Sequence, residues 1–444
     1  MIQRLLAPVR GIVANAGSLV GTTAVNSALG FAYWWLAARL FSAHDVGLAA
    51  ASIAAMSLLG TLGVLGFGTL LIGELPRRAA DQLAPLIGTT ALTAGAAGLL
   101  LGLGFARSAA LVADNLAPLA AGWGVSLLFA LGVGLTALVS VLDQALIGLG
   151  QGGTQLGRNA LFAAAKLVAI LPTGLLVAGR FEPAVYATWV VGLVASLGWL
   201  MWRAFARGQA PRDYRPQPRL LRGLGRAAVA HHFLNIALQL SSLALPLLVT
   251  ALLSSATNAY FYTAWMLAGF IFVGPIALSI ALYAAAETSP EALASKLRFT
   301  LIAATGIGIA ANVALDIAAT PLLRLFGDDY AAHAARPLVL IGLGIFPLIV
   351  KDHYVAICRI QGRVASAATL IALGSVLELG LAAFGAWRGD LIGLACGWLV
   401  GVTVQALLMA PALYRAAFPT TWPQPARVYR LPLEQPMEQL GDGD

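Results

Sequence analysis

Three adjacent ionisable residues, Lys351, Asp352 and His353, interrupt a run of sequence that is otherwise almost wholly apolar. The run extends from Pro337 to Ile360, and at the rise of a helix Lys351 would lie about 4 Å past its middle. A lysine or aspartate at the centre of a membrane helix costs roughly 2.5–3.5 kcal/mol if it faces lipid. We therefore expect these side chains to face protein or water. Because three consecutive residues of a helix fan over about 200°, they are not expected to point into one cleft together.

Composition indicates that this run belongs to a membrane protein. Of the 444 residues, 59% are hydrophobic and 10% are charged, whereas an ordinary soluble domain has roughly 25% charged residues. Apolar stretches long enough to cross a hydrocarbon core of about 30 Å recur along the chain. The sequence thus predicts an all-α integral membrane protein with twelve transmembrane helices: Asn15–Leu40, Val46–Leu71, Leu83–Leu103, Leu119–Ile147, Leu161–Val177, Ala184–Trp202, Ala227–Leu253, Ala259–Ala284, Phe299–Leu323, Pro337–Ile357, Val364–Ala386 and Leu391–Ala412.

The basic residues predict how the chain is oriented. If the N-terminus is cytoplasmic, 19 of the 27 lysines and arginines fall on the inner side and 6 on the outer side. The positive-inside rule then places both termini in the cytoplasm of a cell whose plasma membrane the chain spans. Because the net charge of +8 is concentrated in short inner loops, it indicates contact with anionic membrane lipids and not with nucleic acid.

The sequence also repeats itself. The segments LAARLFSAHDVGLAA (36–50) and LVTALLSSATNAYFY (248–262) share a helix end, a serine and the start of a new helix. A second pair aligns Gln151-Gly152 with Gln361-Gly362. Since six spans return the chain to the same side, the halves are predicted to be parallel pseudo-repeats, which is a transporter architecture with substrate bound between them. The predicted division is a six-helix bundle (1–202), an Arg-rich cytoplasmic linker (203–226), a second six-helix bundle (227–414) and a disordered cytoplasmic tail (415–444).

One segment carries a resemblance to a known family. Residues 33–78, YWWLAARLFSAHDVGLAAASIAAMSLLGTLGVLGFGTLLIGELPRR, resemble the N-terminal signature of the polysaccharide transporter family, the O-antigen-type flippases of bacteria. The later phrases LLRLFGDDYA and RIQGR are similar to loops of that family. The family lies within the multidrug/oligosaccharidyl-lipid/polysaccharide exporter superfamily. The resemblance implies a twelve-helix bundle in the bacterial inner membrane that flips an undecaprenyl-pyrophosphate-linked oligosaccharide by alternating access for surface polysaccharide biosynthesis, with polysaccharide polymerases as possible partners.

This hypothesis assigns roles to the charged residues inside the spans. A pyrophosphate carries about two negative charges and needs cations where water is partly excluded. The predicted substrate-binding residues are Lys351, Lys166 and His353. Each also has a structural interpretation: an ion pair to another helix for Lys351, snorkelling to the inner boundary for Lys166, and hydrogen-bonded packing for His353.

Carboxylates at similar depth are predicted to couple transport to a proton or sodium ion. These residues are Asp352, Glu378 and Asp143. When the two halves are aligned with Gln151 on Gln361, Asp143 takes the position equivalent to His353. The same alignment brings Lys166 within two residues of the position of Glu378. Four helices are therefore expected to contribute charge to one interface. The structural alternatives are a Glu378–lysine pair and an interfacial position for Asp143.

Other classes of function make different use of these features. A cation-coupled multidrug antiporter of the same superfamily would combine Asp352 or Glu378 with a mainly apolar cleft. A non-transporting scaffold of an envelope-polymer assembly would leave the intramembrane charges unexplained. An enzyme is not expected, because no long hydrophilic segment supplies carboxylates or a metal site. No cofactor or metal is predicted.

Overall fold

The structure is a computed structural model that describes residues 27–177, 179, 182–208, 211–221, 226–284 and 289–418. The predicted start of the first span and most of the predicted disordered tail lie outside these residues. The described helices are α1 (residues 27–40), α2 (Ala43–Gly63), α3 (Phe67–Glu74), α4 (Ala80–Val112), α5 (Trp123–Gly148), α6 (Gly152–Val177), α7 (Ala184–Ala206), α8 (Arg226–Leu252), α9 (Ser255–Ala284), α10 (Pro290–Arg324), α11 (Asp328–Leu343), α12 (Ile345–Ile360) and α13 (Val364–Ala417).

The predicted fold class, an all-α membrane protein with twelve spans, is confirmed. In the described residues, ten helical segments are long and apolar enough to cross a membrane. One of them, α13, is two helices joined at Gly389 and Asp390, whose backbone angles are not helical. The described part of α1 supplies the remaining span. Many large apolar side chains are exposed along these helices, as expected where lipid replaces water.

Two predicted spans contain breaks that the hydropathy pattern did not indicate. The second span is divided between α2 and α3, where Leu65 and Gly66 both have positive φ angles. The tenth span starts nine residues before the predicted Pro337 and is divided between α11 and α12 at Gly344. Pro347 lies in the first turn of α12 and has no N–H to donate to the Leu343 carbonyl four residues earlier, so the break falls where a proline interrupts a helix. At Gly344 a Cβ would overlap the ring of Trp398, so the chain packs closely against α13 at the break.

The repeat is visible in the backbone, where one register aligns both Ser42 with Ser254 and Gly150 with Gly362. The Ser42 side chain caps α2 by accepting from the Asp45 backbone N–H, and Ser254 does the same for Thr257. After α5 and α12, Gly150 and Gly362 adopt φ angles of +68° and +70°. The predicted alignment of Gln151 with Gln361 is therefore wrong by two positions, because the left-handed glycines, and not the Gln-Gly pairs, are equivalent.

The linker between the halves folds onto the first half. Residues Pro211–Tyr214 and Pro218–Leu221 form short 3₁₀ helices. The Gln217 backbone N–H donates to Thr89 Oγ1 on α4 at 2.7 Å. Tyr214, Leu220 and Leu221 pack against a buried core formed by the first half. The linker thus covers one end of the first half.

Among the described residues, the buried core that the two halves share lies at one end of the bundle. We call it the closed end; it holds residues 41–42, 113–122, 253–254 and 325–327. Here Tyr330 and Ala259 of the second half belong to the same buried cluster as Trp34 and Val46 of the first. At the opposite end, the linker end, one cluster contains residues of the first half and the linker, and two others contain residues of the second half. Among the described residues, no buried cluster therefore joins the halves at the linker end, although α8 still touches α2 and α3.

Side chains of one half also bind backbone carbonyls of the other at the closed end. Trp35 Nε1 and Arg39 Nε both donate to the Leu325 carbonyl at 2.9 Å. That carbonyl lies just after α10, where helical carbonyls lack partners within the helix. Asn258 Nδ2 donates to the Gly47 carbonyl at 2.8 Å. A Cβ at Gly47 would overlap the carbonyl of Ser255, so the halves meet here in close backbone contact.

Candidate functional site

Lys351 forms a buried ion pair with the neighbouring span. Its Nζ donates to Glu378 Oε1 at 2.9 Å, and the two residues are 5% and 1% exposed. The pair joins α12 to α13 within the second half. Of the alternatives that the sequence left open, the structure contains the helix-to-helix pair, and it pairs Lys351 with Glu378. Each charge neutralises the other, so neither faces the cleft as a free ion.

The two neighbours of Lys351 have different surroundings. His353 is fully buried; its Nδ1 lies 2.8 Å from the Ile349 carbonyl, and its Nε2 has no hydrogen-bond partner. Asp352 is half-buried, and no hydrogen bond or ion pair joins it to another described residue. As the sequence indicated, the three side chains diverge around the helix. Asp352 is therefore the carboxylate among these residues whose charge can change without breaking an ion pair.

Asp143 also has a basic partner, on the neighbouring helix. Its two carboxylate oxygens accept from Arg158 Nε at 2.7 Å and Nη2 at 2.6 Å. Arg158, which is 3% exposed, donates in addition to Asn159 and Ser196. A bidentate pair of this kind fixes geometry as well as charge. The contact ties α5 to α6, and Ser196 extends it to α7.

Lys166 lies among aromatic rings and not at the membrane boundary. Its Nζ is 3.7 Å from the ring centroid of Trp189, 4.8 Å from that of Phe162 and 4.9 Å from that of Tyr33. The residue is 5% exposed, so it does not snorkel. No carboxylate or hydrogen-bond acceptor among the described residues contacts the ammonium. We call Tyr33, Phe162 and Trp189 the aromatic cage.

The sequence analysis expected the charged residues to meet at one interface, but the structure places them apart. Lys166 is enclosed by α1, α6 and α7 of the first half, whereas Lys351 and Glu378 lie between α12 and α13 of the second. In the register that aligns Gly150 with Gly362, Lys166 is equivalent to Glu378, and Lys351 is equivalent to Val139. Each buried charge has therefore found compensation within its own half.

Sequence analysis missed several residues that the fold brings to these charges. Arg158 was counted only as a basic residue of the inner side, although it binds Asp143. Phe162 precedes Lys166 by four residues, the spacing that places two side chains on one face of a helix, and this signal was available. The approach of Tyr33 and Trp189 depends on how α1 and α7 pack against α6, which no sequence pattern indicated.

A polar stripe on α8 was also missed. Asn235, Gln239 and Ser242 follow one another at spacings of four and three residues, which places them on one helix face. Gln239 is exposed and the other two are half-buried. Gln239 Nε2 donates to the Asn235 carbonyl at 3.3 Å. The face that carries Phe233 and Leu240 is apolar, and a polar face in a membrane helix normally lines a water-filled cavity. The stripe is thus suited to line the cleft.

The comparisons with known proteins identify the fold. The structure resembles the inward-facing conformation of a multidrug resistance MATE family transporter of the MOP superfamily, with a TM-score of 0.68, 16% identity and coverage of 89% of this chain and 96% of the other. The outward-facing conformation of such a transporter gives a TM-score of 0.56, with 16% identity over 89% and 93% of the chains. No family model and no curated protein matches the sequence.

A third solved structure shows how this fold varies. It is a MOP superfamily transporter from Pyrococcus furiosus, matched with a TM-score of 0.59 and 17% identity over 89% of this chain and 93% of that one. Its description reports a binding pocket of reverse polarity that suggests a different function. The chain therefore has the fold of MOP superfamily transporters. The polysaccharide-flippase branch, the inner-membrane location, the orientation and the absence of enzymatic activity stay predictions.

Proposed function

We propose that this chain is an alternating-access transporter whose halves rock about the closed end. The observation that supports this proposal is the distribution of the core: the halves share a buried cluster at the closed end and have separate clusters at the linker end. Rocking requires one end to close while the other opens. The contact of Gly47 with Ser255 would then separate when the cleft opens on the other side.

The proposed substrate is a small amphipathic molecule of the kind that multidrug transporters export. The solved structures that share the fold support this class, because two of them are described as multidrug resistance transporters. The charges support it as well. Lys351 is neutralised by Glu378, Asp143 is neutralised by Arg158, and Lys166 faces rings. In this conformation Lys166 and Lys351, the two cations that the pyrophosphate hypothesis named, are thus not available as a pair.

We assign ion coupling to Asp352. Protonation or sodium binding at Glu378 or Asp143 would leave a buried cation uncompensated, which is strongly unfavourable. Asp352 has no such partner among the described residues and retains some exposure. Its charge can therefore change with the access state of the cleft at lower cost.

A second candidate is the flippase of lipid-linked oligosaccharides. The polar stripe of α8 favours it, because the neutral amides and the hydroxyl of Asn235, Gln239 and Ser242 can exchange hydrogen bonds with sugar hydroxyls. The family resemblance of residues 33–78 points the same way. In this case the pyrophosphate would need cations that another conformation frees.

The test is transport by the purified chain in proteoliposomes under an imposed proton or sodium gradient. One set of proteoliposomes contains an amphipathic fluorescent dye without net charge. The other set contains a labelled lipid-linked oligosaccharide, whose leaflet is determined by leaflet-resolved detection of the label. Gly47→Ala should abolish transport, because its methyl group prevents closure at Ser255. Gly73→Ala is the matched control, since a Cβ there meets open space. Asp352→Asn should remove the dependence on the gradient.

The outcomes separate the candidates. Dye transport without oligosaccharide flipping supports the exporter, and the reverse supports the flippase. Wild-type rates for Gly47→Ala would refute closure at this end. Retained gradient dependence in Asp352→Asn would refute the assignment of the coupling site.

A further inference from the structure

The aromatic cage has the construction of a site for organic cations. Proteins bind quaternary ammonium groups by surrounding them with aromatic faces within about 6 Å of the cation. Three ring centroids lie within 4.9 Å of the Lys166 ammonium. The cage is thus already occupied by a cation that belongs to the chain itself.

Lys166 has no other means of compensation among the described residues. In the second half, the equivalent position of Glu378 pairs with Lys351. The first-half equivalent of Lys351 is Val139, which is buried but apolar. The ammonium is therefore compensated by ring faces alone in the part of the chain that the structure describes. Because such attraction strengthens where water is excluded, the cage holds Lys166 at this position.

The Tyr33 ring of the cage is fixed by its own contacts. The Tyr33 hydroxyl donates to the Val185 carbonyl at 3.0 Å and lies 2.7 Å from Thr188 Oγ1. These bonds orient one wall of the cage before any ligand arrives. A preformed cage retains its shape when the lysine is shortened or neutralised, so its capacity to bind can be measured.

The cage reaches the interface between the halves. Trp34 lies beside Trp189, with ring centroids 6.4 Å apart, and it contacts Tyr262 of α9 at 4.6 Å. Tyr262 belongs to the second half and is half-buried. The cage therefore borders the surface at which the two halves meet.

We propose that Lys166 is a specificity-determining residue: its ammonium occupies an aromatic cation site beside the interface of the halves and so excludes organic cations from it. This inference rests on the proposed function for its consequence in transport, and it narrows the substrate class. Substrates of the exporter are then uncharged, zwitterionic or anionic amphiphiles, and the cage becomes a cation site only when Lys166 is removed.

The test is binding of benzyltrimethylammonium to the full chain in lipid nanodiscs, measured by calorimetry. Lys166→Ala, which vacates the space of the whole side chain, should bind this cation at least tenfold more tightly than the wild type. Lys296→Ala is the matched control, because it removes the same charge at the linker end and should bind like the wild type. Neopentylbenzene, the uncharged carbon analogue of the probe, should gain much less from Lys166→Ala.

A second substitution locates the gain. Trp189→Leu added to Lys166→Ala should abolish the tighter binding, since it removes the ring nearest the cation. Lys166→Ser provides an independent variant if Lys166→Ala folds poorly, and its folding is checked by thermal unfolding. Equal binding by wild type and both Lys166 variants would overturn the inference. A gain that survives the loss of Trp189 would also overturn it.

The proposed function and this inference fail in different ways. If Gly47→Ala transports normally, the rocking proposal is wrong, yet the gain in cation binding would still stand because it is measured without transport. If the uncharged dye is transported but Lys166→Ala binds no more cation, the exporter stands and the role of Lys166 falls.

Discussion

Lys166 in the first half and Glu378 in the second occupy equivalent positions, but their charges have opposite signs and are compensated differently. Glu378 accepts a hydrogen bond from Lys351 on the neighbouring span at 2.9 Å. Lys166 has only aromatic faces around it among the described residues, because the equivalent of Lys351 is Val139. A duplicated scaffold has thus developed a self-neutralising pair in one half and an unpaired cation in the other. The two halves should respond to the same substitution in different ways.

The largest effect is expected when the ion pair of the second half is broken. Lys351→Met leaves Glu378 buried without a counter-charge, which should lower the free energy of unfolding by about 3–5 kcal/mol. Unfolding of the purified chain in mixed micelles measures the loss. The double variant Lys351→Met/Glu378→Met should recover most of it, since apolar side chains of similar size replace both charges. Equal losses in the single and double variants would contradict the pairing.

An intermediate effect is expected at the ion pair of the first half. Asp143→Asn retains the shape of the side chain but removes the charge that Arg158 binds through two nitrogens. The free energy of unfolding should fall by about 1.5–3 kcal/mol, the range for hydrogen bonds to charged groups. Arg158 keeps Asn159 and Ser196 as partners, which limits the loss. The same micelle titration compares it with Lys351→Met, and a larger loss for Asp143→Asn would reverse the ranking of the two pairs.

The smallest effect is expected at the aromatic cage. Lys166→Met gives up cation–π attraction of about 2 kcal/mol, but it also removes the cost of burying an unpaired ammonium. The free energy of unfolding should therefore change by less than about 1 kcal/mol. Lys166→Met and Lys351→Met are the same substitution in the two halves, so their difference measures the contrast directly. A loss as large as that of Lys351→Met would indicate that Lys166 has a partner equivalent to Glu378.

Local sequence patterns were sufficient to predict the membrane class, the number of spans and the existence of a repeat. A span needs about 20 apolar residues wherever it occurs, and the Ser42 and Ser254 caps involve residues only three positions away. The same patterns required that Lys351, Asp352 and Glu378 avoid lipid, because the cost of exposing a charge there depends on its depth.

Packing between helices established which charges meet, and no local pattern could predict it. Lys351 and Glu378 lie on different spans, and Lys166 of α6 contacts Tyr33 of α1. Such contacts depend on the rotation and depth of each helix against its neighbours. A two-residue change in the register turns an α-helix by about 200°, so the repeat alone could not identify the partners of Asp143 and Lys351. The close packing of Gly344 against the ring of Trp398 on another helix is likewise a contact that the local sequence did not indicate.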